Sequence, residues 1–284
     1  MIDRCYIEIT NICNLHCVFC PGHDREPRQM SPEEFDLLTD KLQGRVRFLY
    51  FHLMGEPLLN PHLPVFVSES RQKGFVPVIT TNGTLFDRHP ALADSRPYKV
   101  NISLHSFEGN RCGSLDDYMS AVADFASSAS QHGTIVVLRL WNQGGYDTEN
   151  EMILAMLKTR FPEPWTIRPD GYRISERIYI EYDRMFEWPD SRKSECGAKV
   201  FCYALRNQIG VLADGTVVPC CLDHNGEMPL GNLFAQSLDE ILGSARARRI
   251  YEGFSSHNAV EPLCRRCGYA NQTKQFRAQE NDCQ

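Results

Sequence analysis

The chain has 284 residues, of which 42 % are hydrophobic and 23 % are charged, and its formal net charge is −6. This length and composition suit one large soluble α/β domain with a modest extension, and the acidic balance argues against a nucleic-acid partner. No apolar run reaches the roughly 18 residues of a membrane span and no secretory signal precedes the first strand, so we expect a cytoplasmic protein without a membrane partner.

Apolar runs alternate with helical patterns to about residue 180, which is typical of βαβ units and a parallel sheet. The predicted strands cover residues 5–10, 47–53, 77–81, 100–105, 135–140 and 177–182. The predicted helices cover residues 31–43, 63–73, 115–132 and 148–160. These strands and helices predict an open (β/α)6 barrel, an α/β fold, over residues 1–190.

Beyond residue 190 the alternation stops and cysteines become dense, which predicts a small second domain over residues 191–284. Two apolar runs joined by Asp214-Gly215 predict a β-hairpin that ends at Cys220. A capping box from Ser237 to Glu240 predicts the start of a helix. The extension is therefore expected to be a hairpin followed by a helix.

Three cysteines follow the first predicted strand in the pattern C-x3-C-x2-C, namely Cys13, Cys17 and Cys20. The chain has 12 cysteines and no export signal, which favours metal ligation over disulfides. Three thiolates on one loop suit three irons of a 4Fe–4S cube and leave the fourth iron open to a small molecule.

This cysteine pattern, followed at the second strand end by Met54-Gly55-Glu56-Pro57, resembles the radical S-adenosylmethionine (SAM) superfamily. In that family the open iron binds SAM, and an electron from the cluster cleaves SAM to a 5′-deoxyadenosyl radical that takes a hydrogen atom from the substrate. The resemblance implies the same fold as the strand pattern, a partial (β/α)6 radical SAM barrel.

The resemblance also implies SAM contacts at the carboxyl ends of the strands, where barrel enzymes build their sites. Glu56 would bind the SAM ammonium group within the turn of Gly55 and Pro57, although Met54 replaces the usual first glycine of this motif. Phe19 would shield the cluster beside the adenine of SAM. The other candidate SAM contacts lie near later strand ends and are Asn82, Ser103, His105, Arg139 and Trp141.

Several of these candidates have structural alternatives. Period-two alternation predicts that Ser103 and His105 share the barrel face of Asn101, where either residue binds SAM or plays a structural role. A buried Arg139 requires a nearby carboxylate, which is either that of SAM or that of an internal salt bridge. Asn82 fits a simple Asn-Gly turn equally well.

Residues 196–270 resemble the SPASM extension of radical SAM enzymes, in the shortened twitch form that holds one auxiliary 4Fe–4S cluster. The implied ligands are Cys202, Cys220, Cys264 and Cys267. Four thiolates leave no open iron, so this cluster would serve electron transfer. Two alternatives remain open: Cys196 in place of Cys202, and a zinc knuckle in place of the cluster.

The simplest expected chemistry is the oxidation of a small molecule, with the auxiliary cluster taking an electron. The alternatives are a maturase that epimerises or crosslinks a ribosomally made peptide, and a non-catalytic iron–sulfur electron carrier. The expected partners are a small-molecule or peptide substrate and a low-potential donor of the flavodoxin or ferredoxin type, and both clusters are expected to be oxygen-sensitive. Cys221 and Cys112 are candidate hydrogen-atom donors to a product radical, or else inert thiols.

Overall fold

The computed structural model describes residues 2–110, 113–145 and 147–270. In this part of the chain the strands are β1 (Arg4–Ile7), β2 (Phe48–Phe51), β3 (Val76–Thr81), β4 (Lys99–Ser103), β5 (Ile135–Gln143), β6 (Thr166–Arg168), β7 (Gly171–Ser175), β8 (Ile178–Arg184), β9 (Gln208–Val211), β10 (Thr216–Val218) and β11 (Gly231–Asn232). The α-helices are α1 (Pro32–Leu42), α2 (Leu63–Gln72), α3 (His105–Glu108), α4 (Leu115–Gln131), α5 (Asn150–Arg160), α6 (Leu238–Leu242) and α7 (Ala245–Ser255).

All described strands form one sheet in the order β11-β10-β9-β1-β2-β3-β4-β5-β8-β7-β6. The six strands from β1 to β8 in this order run parallel, and consecutive strands along the chain are joined mainly by helices. Their carboxyl ends therefore lie along one edge of the sheet. This arrangement confirms the predicted (β/α)6 architecture, with β8 as the sixth parallel strand.

The two faces of the parallel strands differ in burial. Leu49 and Phe51 of β2 are fully buried in the core, whereas Tyr50 between them is partly exposed. The core side is covered by helices, and Phe35 of α1 stacks on Phe66 of α2 with ring centroids 4.2 Å apart. Alternation thus leaves the other face of the strands, which we call the inner face, available for a site.

The fourth strand ends earlier than predicted. It stops at Ser103, and the backbone N–H of Leu104 then donates to the carbonyl of Ile102, which turns the chain into α3. His105 is the first residue of α3. Period-two alternation therefore does not extend to His105, because the strand ends at Ser103.

Two other elements differ from the predictions. The antiparallel pair of β6 and β7 was not predicted, because its first strand is exposed throughout and shows no apolar alternation. The single helix predicted from Ser237 is two helices, since Ser244 caps a new helix by accepting a hydrogen bond from the backbone of Ala247. The capping box of Ser237 with Glu240 is present at the start of α6, as predicted.

The C-terminal extension continues the sheet of the barrel. Strand β9 lies parallel to β1 and pairs antiparallel with β10, which confirms the predicted hairpin. Its turn requires Gly215, which has a φ of +83° and where a Cβ would lie 2.6 Å from a ring atom of Phe234. In the part of the chain that the structure describes, no helix is both long and apolar enough to cross a bilayer.

Candidate active site

The loop with the first three cysteines leaves the carboxyl end of β1 and is closed at its base by Asn11. The side-chain amide of Asn11 donates to the carbonyl of Glu26 at 2.8 Å, and its oxygen accepts from the backbone N–H of Arg28 at 2.7 Å. Met30 then returns to the strand, its N–H donating to the carbonyl of Ile9 at 2.9 Å. The loop therefore starts and ends beside the strand that carries it.

The chemistry of this loop fits an iron–sulfur cluster. Cys13 and Cys20 are exposed and Cys17 is half-buried. The backbone N–H of Leu15 lies 3.5 Å from the sulfur of Cys13, and the amide of Asn110 lies 3.0 Å from the sulfur of Cys17. Soft thiolates with N–H donors on sulfur are the environment that stabilises such clusters.

The thiol of Cys17 has a shifted pKa when it is not bound to iron. Burial raises the pKa of this thiol to about 11, and Cys20 and Cys13 raise it further while the hydrogen bond from Asn110 opposes the shift. The free thiol is therefore protonated at neutral pH. Binding of iron would release its proton, since the thiolate is the ligand.

Glu56 is buried beyond the end of β2, with only 2 % of its surface exposed. One carboxylate oxygen accepts from the hydroxyl of Thr81 at 2.5 Å and the other from the N–H of Asn82 at 2.7 Å. Burial raises the pKa of Glu56 to about 7, against the effect of these hydrogen bonds. A buried carboxylate with a raised pKa gains from a cationic partner, which the ammonium group of SAM supplies.

The turn around Glu56 packs directly against the cysteine loop. Gly55 has a φ of +76°, and a Cβ there would lie 2.3 Å from the carbonyl oxygen of Thr10. The N–H of Glu56 donates to the carbonyl of Ile12 at 2.9 Å, and Pro57 begins the short 3-10 turn Pro57–Leu59. Only glycine permits this approach, so Gly55 joins the motif to the cluster loop.

Two predicted SAM contacts already have protein partners. The amide of Asn82 donates to the side chain of Asn14 at 3.0 Å, and its oxygen accepts from Thr84, which ties the third strand end to the cysteine loop. His105 lies 3.0 Å from the carbonyl of Arg139 through Nδ1, and burial lowers its pKa to about 4. Its ring packs on Phe19 at 5.1 Å. Phe19 and His105 are therefore brought together, and both Asn82 and His105 help to shape the site.

Arg139, Trp141 and Ser103 lie on neighbouring strand ends. Ser103 pairs with Arg139 in the register of β4 and β5. The guanidinium of Arg139 lies over the ring of Trp141 at 4.0 Å, and its Nε is 3.7 Å from the carboxylate of Glu181. Burial lowers the pKa of Arg139 to about 10, although Glu181 opposes the shift. Glu181 is thus the carboxylate that a buried Arg139 requires, and the pair corresponds to the internal salt-bridge alternative. The distance between the two groups is longer than a hydrogen bond.

The four cysteines of the extension are all half-buried, and they are close enough to influence one another's pKa. Burial raises the pKa of Cys220 well above its ordinary value, and the neighbouring thiols Cys221, Cys202, Cys264 and Cys267 raise it further. The N–H of Ala204 donates to the sulfur of Cys202 at 3.4 Å. This donor set also fits an iron–sulfur cluster.

Cys196 and Cys202 differ in position. Cys202 affects the pKa of Cys220, Cys264 and Cys267, whereas Cys196 is exposed and is a minor influence on Cys267 alone. Across residues 2–110, 113–145 and 147–270, no group of three His, Cys, Asp or Glu side chains is arranged to hold a single metal ion. Because Cys202 acts on all three of the other thiols, it is favoured over Cys196 as the fourth ligand.

Of the two candidate hydrogen-atom donors, Cys221 lies beside the second cluster of cysteines. Burial raises its pKa to about 12, the thiols of Cys202 and Cys267 add to this, and a hydrogen bond with Tyr6 of β1 opposes it. Cys221 thus lies between the inner face of the barrel and the extension. Cys112 lies outside the described residues.

Sequence reasoning missed an ion pair that connects these regions. Glu8 is fully buried and binds Arg25 through both carboxylate oxygens at 2.6 Å. Glu8 also accepts from the backbone N–H of Met54 at 3.2 Å and of Ala213 at 3.1 Å. Arg25 donates to the carbonyl of His224 at 2.9 Å. The sequence did contain a signal for this ion pair: Glu8 is a lone charged residue among apolar residues of the predicted strand 5–10. A buried charge of this kind requires a partner.

Asn110 was also missed. It contacts the sulfur of Cys17 and accepts from the backbone N–H of His16 at 2.8 Å, from a position more than 90 residues along the chain. Nothing in its local sequence marks it, because the contact exists only once the barrel has formed.

The comparisons with known proteins agree with this geometry. The radical SAM superfamily matches residues 7–153, and SPASM, an iron–sulfur cluster-binding domain, matches residues 202–268. The first match alone covers more than half of the chain, so the chain belongs to the radical SAM superfamily. The expected cofactors, a SAM-binding 4Fe–4S cluster, SAM itself and an auxiliary cluster, are those of this family and domain.

Two relatives are similar in sequence. S-adenosyl-L-methionine-dependent 2-deoxy-scyllo-inosamine dehydrogenase of Niallia circulans is 23 % identical over 277 residues, or 92 % of this chain and 90 % of that protein. Fe-coproporphyrin III synthase of Methanosarcina barkeri is 36 % identical over 86 residues, or 29 % of this chain and 22 % of that protein. The second match spans less than a quarter of that relative's length.

The solved structures that share the fold include two with different bound molecules. BtrN in complex with AdoMet and 2-DOIA has a TM-score of 0.62 at 18 % identity, and the match covers 94 % of this chain and 93 % of that one. Streptococcus suis SuiB bound to precursor peptide SuiA has a TM-score of 0.60 at 14 % identity, over 94 % of this chain and 70 % of that one. These two structures confirm the predicted fold class. Membership of the radical SAM superfamily supports an enzyme rather than an electron carrier.

Proposed function

We propose that this protein is a radical SAM dehydrogenase that oxidises a secondary alcohol of a small molecule. The observation that carries the proposal is the cluster of four cysteines, Cys202, Cys220, Cys264 and Cys267, on an extension whose strand β9 lies against β1. The nearly full-length similarity to a SAM-dependent dehydrogenase supports it. The proposed domains are residues 1–190 for the radical chemistry and 191–284 for electron transfer.

The balance of the reaction explains why two cysteine clusters are needed. An alcohol that becomes a ketone loses a hydrogen atom from carbon, a proton from oxygen and one further electron. SAM and its cluster, when bound at Cys13, Cys17 and Cys20, supply the radical that accepts the hydrogen atom. The four cysteines of the extension would hold the acceptor of the electron, because a fully ligated cluster is suited to electron transfer.

The side chains of the barrel prepare this reaction. Glu56 would bind the ammonium group of SAM, while Gly55 and Asn82 hold its turn against the cysteine loop. Phe19 would pack beside the adenine, supported by His105. We further propose that the protein is cytoplasmic, is oxygen-sensitive and takes electrons from a flavodoxin or ferredoxin, because its thiols and clusters require reducing conditions.

Two variants test whether the first cysteine set forms the radical and the second set holds the electron acceptor. Cys17→Ala should abolish formation of 5′-deoxyadenosine, because the radical-forming site loses a ligand. Cys264→Ala should still form some 5′-deoxyadenosine but yield no ketone, because the electron acceptor is damaged. Both are measured anaerobically with reconstituted enzyme, SAM and two carbon-deuterated probes, 2-deoxy-scyllo-inosamine and scyllo-inositol.

The wild-type enzyme should transfer deuterium from at least one probe to 5′-deoxyadenosine and form an equal amount of ketone. Label that stays in both probes would contradict oxidation of a small cyclic alcohol and favour the peptide-modifying alternative. A normal ketone yield from Cys264→Ala would exclude the electron-transfer role of the extension.

A further inference from the structure

Asn110 follows the short helix α3 and meets the first cysteine loop from a distant part of the chain. Its amide nitrogen lies 3.0 Å from the sulfur of Cys17 and 2.8 Å from the carbonyl oxygen of Ser106. Its amide oxygen accepts from the backbone N–H of His16 at 2.8 Å. One side chain therefore contacts a cysteine sulfur, the loop that carries this cysteine and the helix behind it.

These partners determine which way the amide of Asn110 points. The N–H of His16 only donates and the carbonyl of Ser106 only accepts, so the amide oxygen faces His16 and the nitrogen faces Ser106. A flipped amide would put donor against donor and acceptor against acceptor. Of the two hydrogens on the nitrogen, one is used by Ser106 and the other is left for Cys17. The contact with Cys17 is therefore an N–H···S hydrogen bond.

The helix that carries Asn110 is anchored to the barrel and not only to the loop. Glu108 of α3 is buried, and its carboxylate accepts from the hydroxyl of Thr148 at 2.5 Å and from the N–H of the same residue at 3.1 Å. At the other end of α3, the hydroxyl of Ser106 donates to the carbonyl of Ser103 at 2.6 Å. The barrel therefore fixes where Asn110 lies.

The loop and α3 also pack together beside this hydrogen bond. A Cβ at Gly109 would lie 3.0 Å from a ring atom of Phe19, so a larger residue there would crowd the ring. The same ring lies 5.1 Å from that of His105 at the start of α3. The contact between Asn110 and Cys17 is thus part of a packed interface between the loop and the helix.

The hydrogen bond to Cys17 differs from those to two other cysteine sulfurs. Cys13 and Cys202 each accept from the backbone N–H two residues later in the chain, at 3.5 and 3.4 Å. Any residue except proline supplies such a donor. The donor to Cys17 is a side chain 93 residues away, at the shorter distance of 3.0 Å. This hydrogen bond therefore depends on the identity of one residue.

A donor at this sulfur affects the energy of electron uptake. When a 4Fe–4S cluster gains an electron, its negative charge rises and is shared by the sulfurs of its ligands. Hydrogen bonds to the sulfurs stabilise the more negative form and are among the factors that set the reduction potential. A side-chain amide on Cys17 should therefore make a cluster at this site easier to reduce.

We propose that Asn110 raises the reduction potential of the SAM-binding cluster by donating to Cys17, and that it thereby sets how readily the electron donor reduces this cluster. Asn110 acts through Cys17, so it is a positioning residue and not a catalytic one. One electron passes from the flavodoxin or ferredoxin to the cluster, and Asn110 changes only the driving force of this transfer. The inference precedes any step on the substrate and holds for a small molecule or a peptide.

The test is an anaerobic potentiometric titration of the reconstituted holoenzyme, followed by electron paramagnetic resonance. The signal of the first cluster is recognised by its change on addition of SAM, because this cluster has the open iron. Asn110→Leu has a similar size but no donor. It should lower the ratio of reduced to oxidised cluster about fivefold at a fixed potential, the usual effect of one lost hydrogen bond. This corresponds to a midpoint lower by about 40 mV for a one-electron couple.

A second variant separates the hydrogen bond from the anchoring of the loop. Asn110→Asp keeps an acceptor for the N–H of His16, but it replaces the donor at the sulfur with a negative charge. Its midpoint potential should therefore fall further than that of Asn110→Leu. A role in loop structure alone would give the opposite order, since aspartate retains the bond to His16.

Asn14→Leu is the matched control in the same loop. The amide of Asn14 donates to the hydroxyl of Thr84 at 2.8 Å, and its oxygen accepts from Asn82 at 3.0 Å. It thus ties the loop to the barrel as Asn110 does, but its side chain has no hydrogen bond to a sulfur in the part of the chain that the structure describes. The midpoint potential of the first cluster should stay unchanged in this variant, and that of the auxiliary cluster should stay unchanged in all three.

Three results would overturn the inference: an unchanged midpoint in Asn110→Leu with full iron content, an equal fall in Asn14→Leu, or an equal shift of both clusters. If Asn110→Leu binds too little iron to be titrated, Asn110→Asp decides, and an unchanged midpoint there would overturn the inference as well. Because the titration contains no substrate, its result is independent of the proposed oxidation of an alcohol.

Discussion

The two cysteine clusters differ in exposure and in how the chain holds them. In the barrel, Cys13 and Cys20 are exposed on a loop and Cys17 is half-buried. In the extension, four half-buried cysteines lie within the range of one compact domain, residues 202–268. Three thiols leave one iron of a 4Fe–4S cube open to a ligand, whereas four thiols close it. Under the proposed function, the first set supports bond cleavage and the second supports electron transfer.

The exposed loop also depends more on distant parts of the chain. Asn110 reaches Cys17 from beyond β4, and Arg25 joins the loop to Glu8 of the segment after β1. Glu8 in turn bonds Ala213 at the hairpin of the extension. The two regions are therefore joined by one buried ion pair.

Breaking that ion pair should have the largest effect on stability. Glu8→Gln leaves Arg25 without its carboxylate and is expected to lower the free energy of unfolding by about 3 kcal/mol. Chemical denaturation of the reconstituted protein measures this, and the iron content of both clusters should fall together because Glu8 contacts both regions.

The matched control is Asp239→Asn, which breaks the exposed pair of Asp239 with Arg45. Surface pairs contribute little, so its stability and iron content should stay near those of the wild type. If Glu8→Gln behaves like this control, the buried ion pair does not couple the two regions.

A smaller effect is expected from pH at the open site. Because burial raises the pKa of Glu56 to about 7, much of this carboxyl is protonated at pH 6 and cannot pair with an ammonium group. The affinity for SAM should therefore rise several-fold between about pH 6 and 7.5, as Glu56 ionises. Equilibrium dialysis with labelled SAM measures this change.

Glu56→Gln should bind SAM more weakly and lose this pH dependence, whereas Glu240→Gln, on the exposed capping box of α6, should keep the wild-type profile. The same pH dependence in Glu56→Gln would show that another group titrates and that Glu56 does not bind the ammonium.

The sequence predicted the features that depend on local patterns and failed where distant contacts decide. The strand pattern, the hairpin turn at Gly215 and the capping box of Ser237 are local, and each was predicted correctly. The early end of β4 before His105 was missed, because a turn after Ser103 replaces the alternation. The pair of β6 and β7 was missed because β6 is exposed throughout and has no apolar alternation to mark it.

In the site, too, the features set by local sequence were predicted and those set by distant contacts were not. The cysteine spacing and the motif around Glu56 identified the chemistry, since both are written in short segments. Glu8 with Arg25 and Asn110 with Cys17 were not predictable in this way, because each pair forms only when separate segments meet.

The central claim is that the chain holds two 4Fe–4S clusters with separate ligands. The most direct test is the iron and acid-labile sulfide content of anaerobically reconstituted protein, compared between the wild type and a variant with Cys13, Cys17 and Cys20 all changed to alanine. The account predicts about eight irons falling to about four. About four irons falling to none would contradict it, because the extension would then hold no cluster and the substrate electron would have no acceptor there.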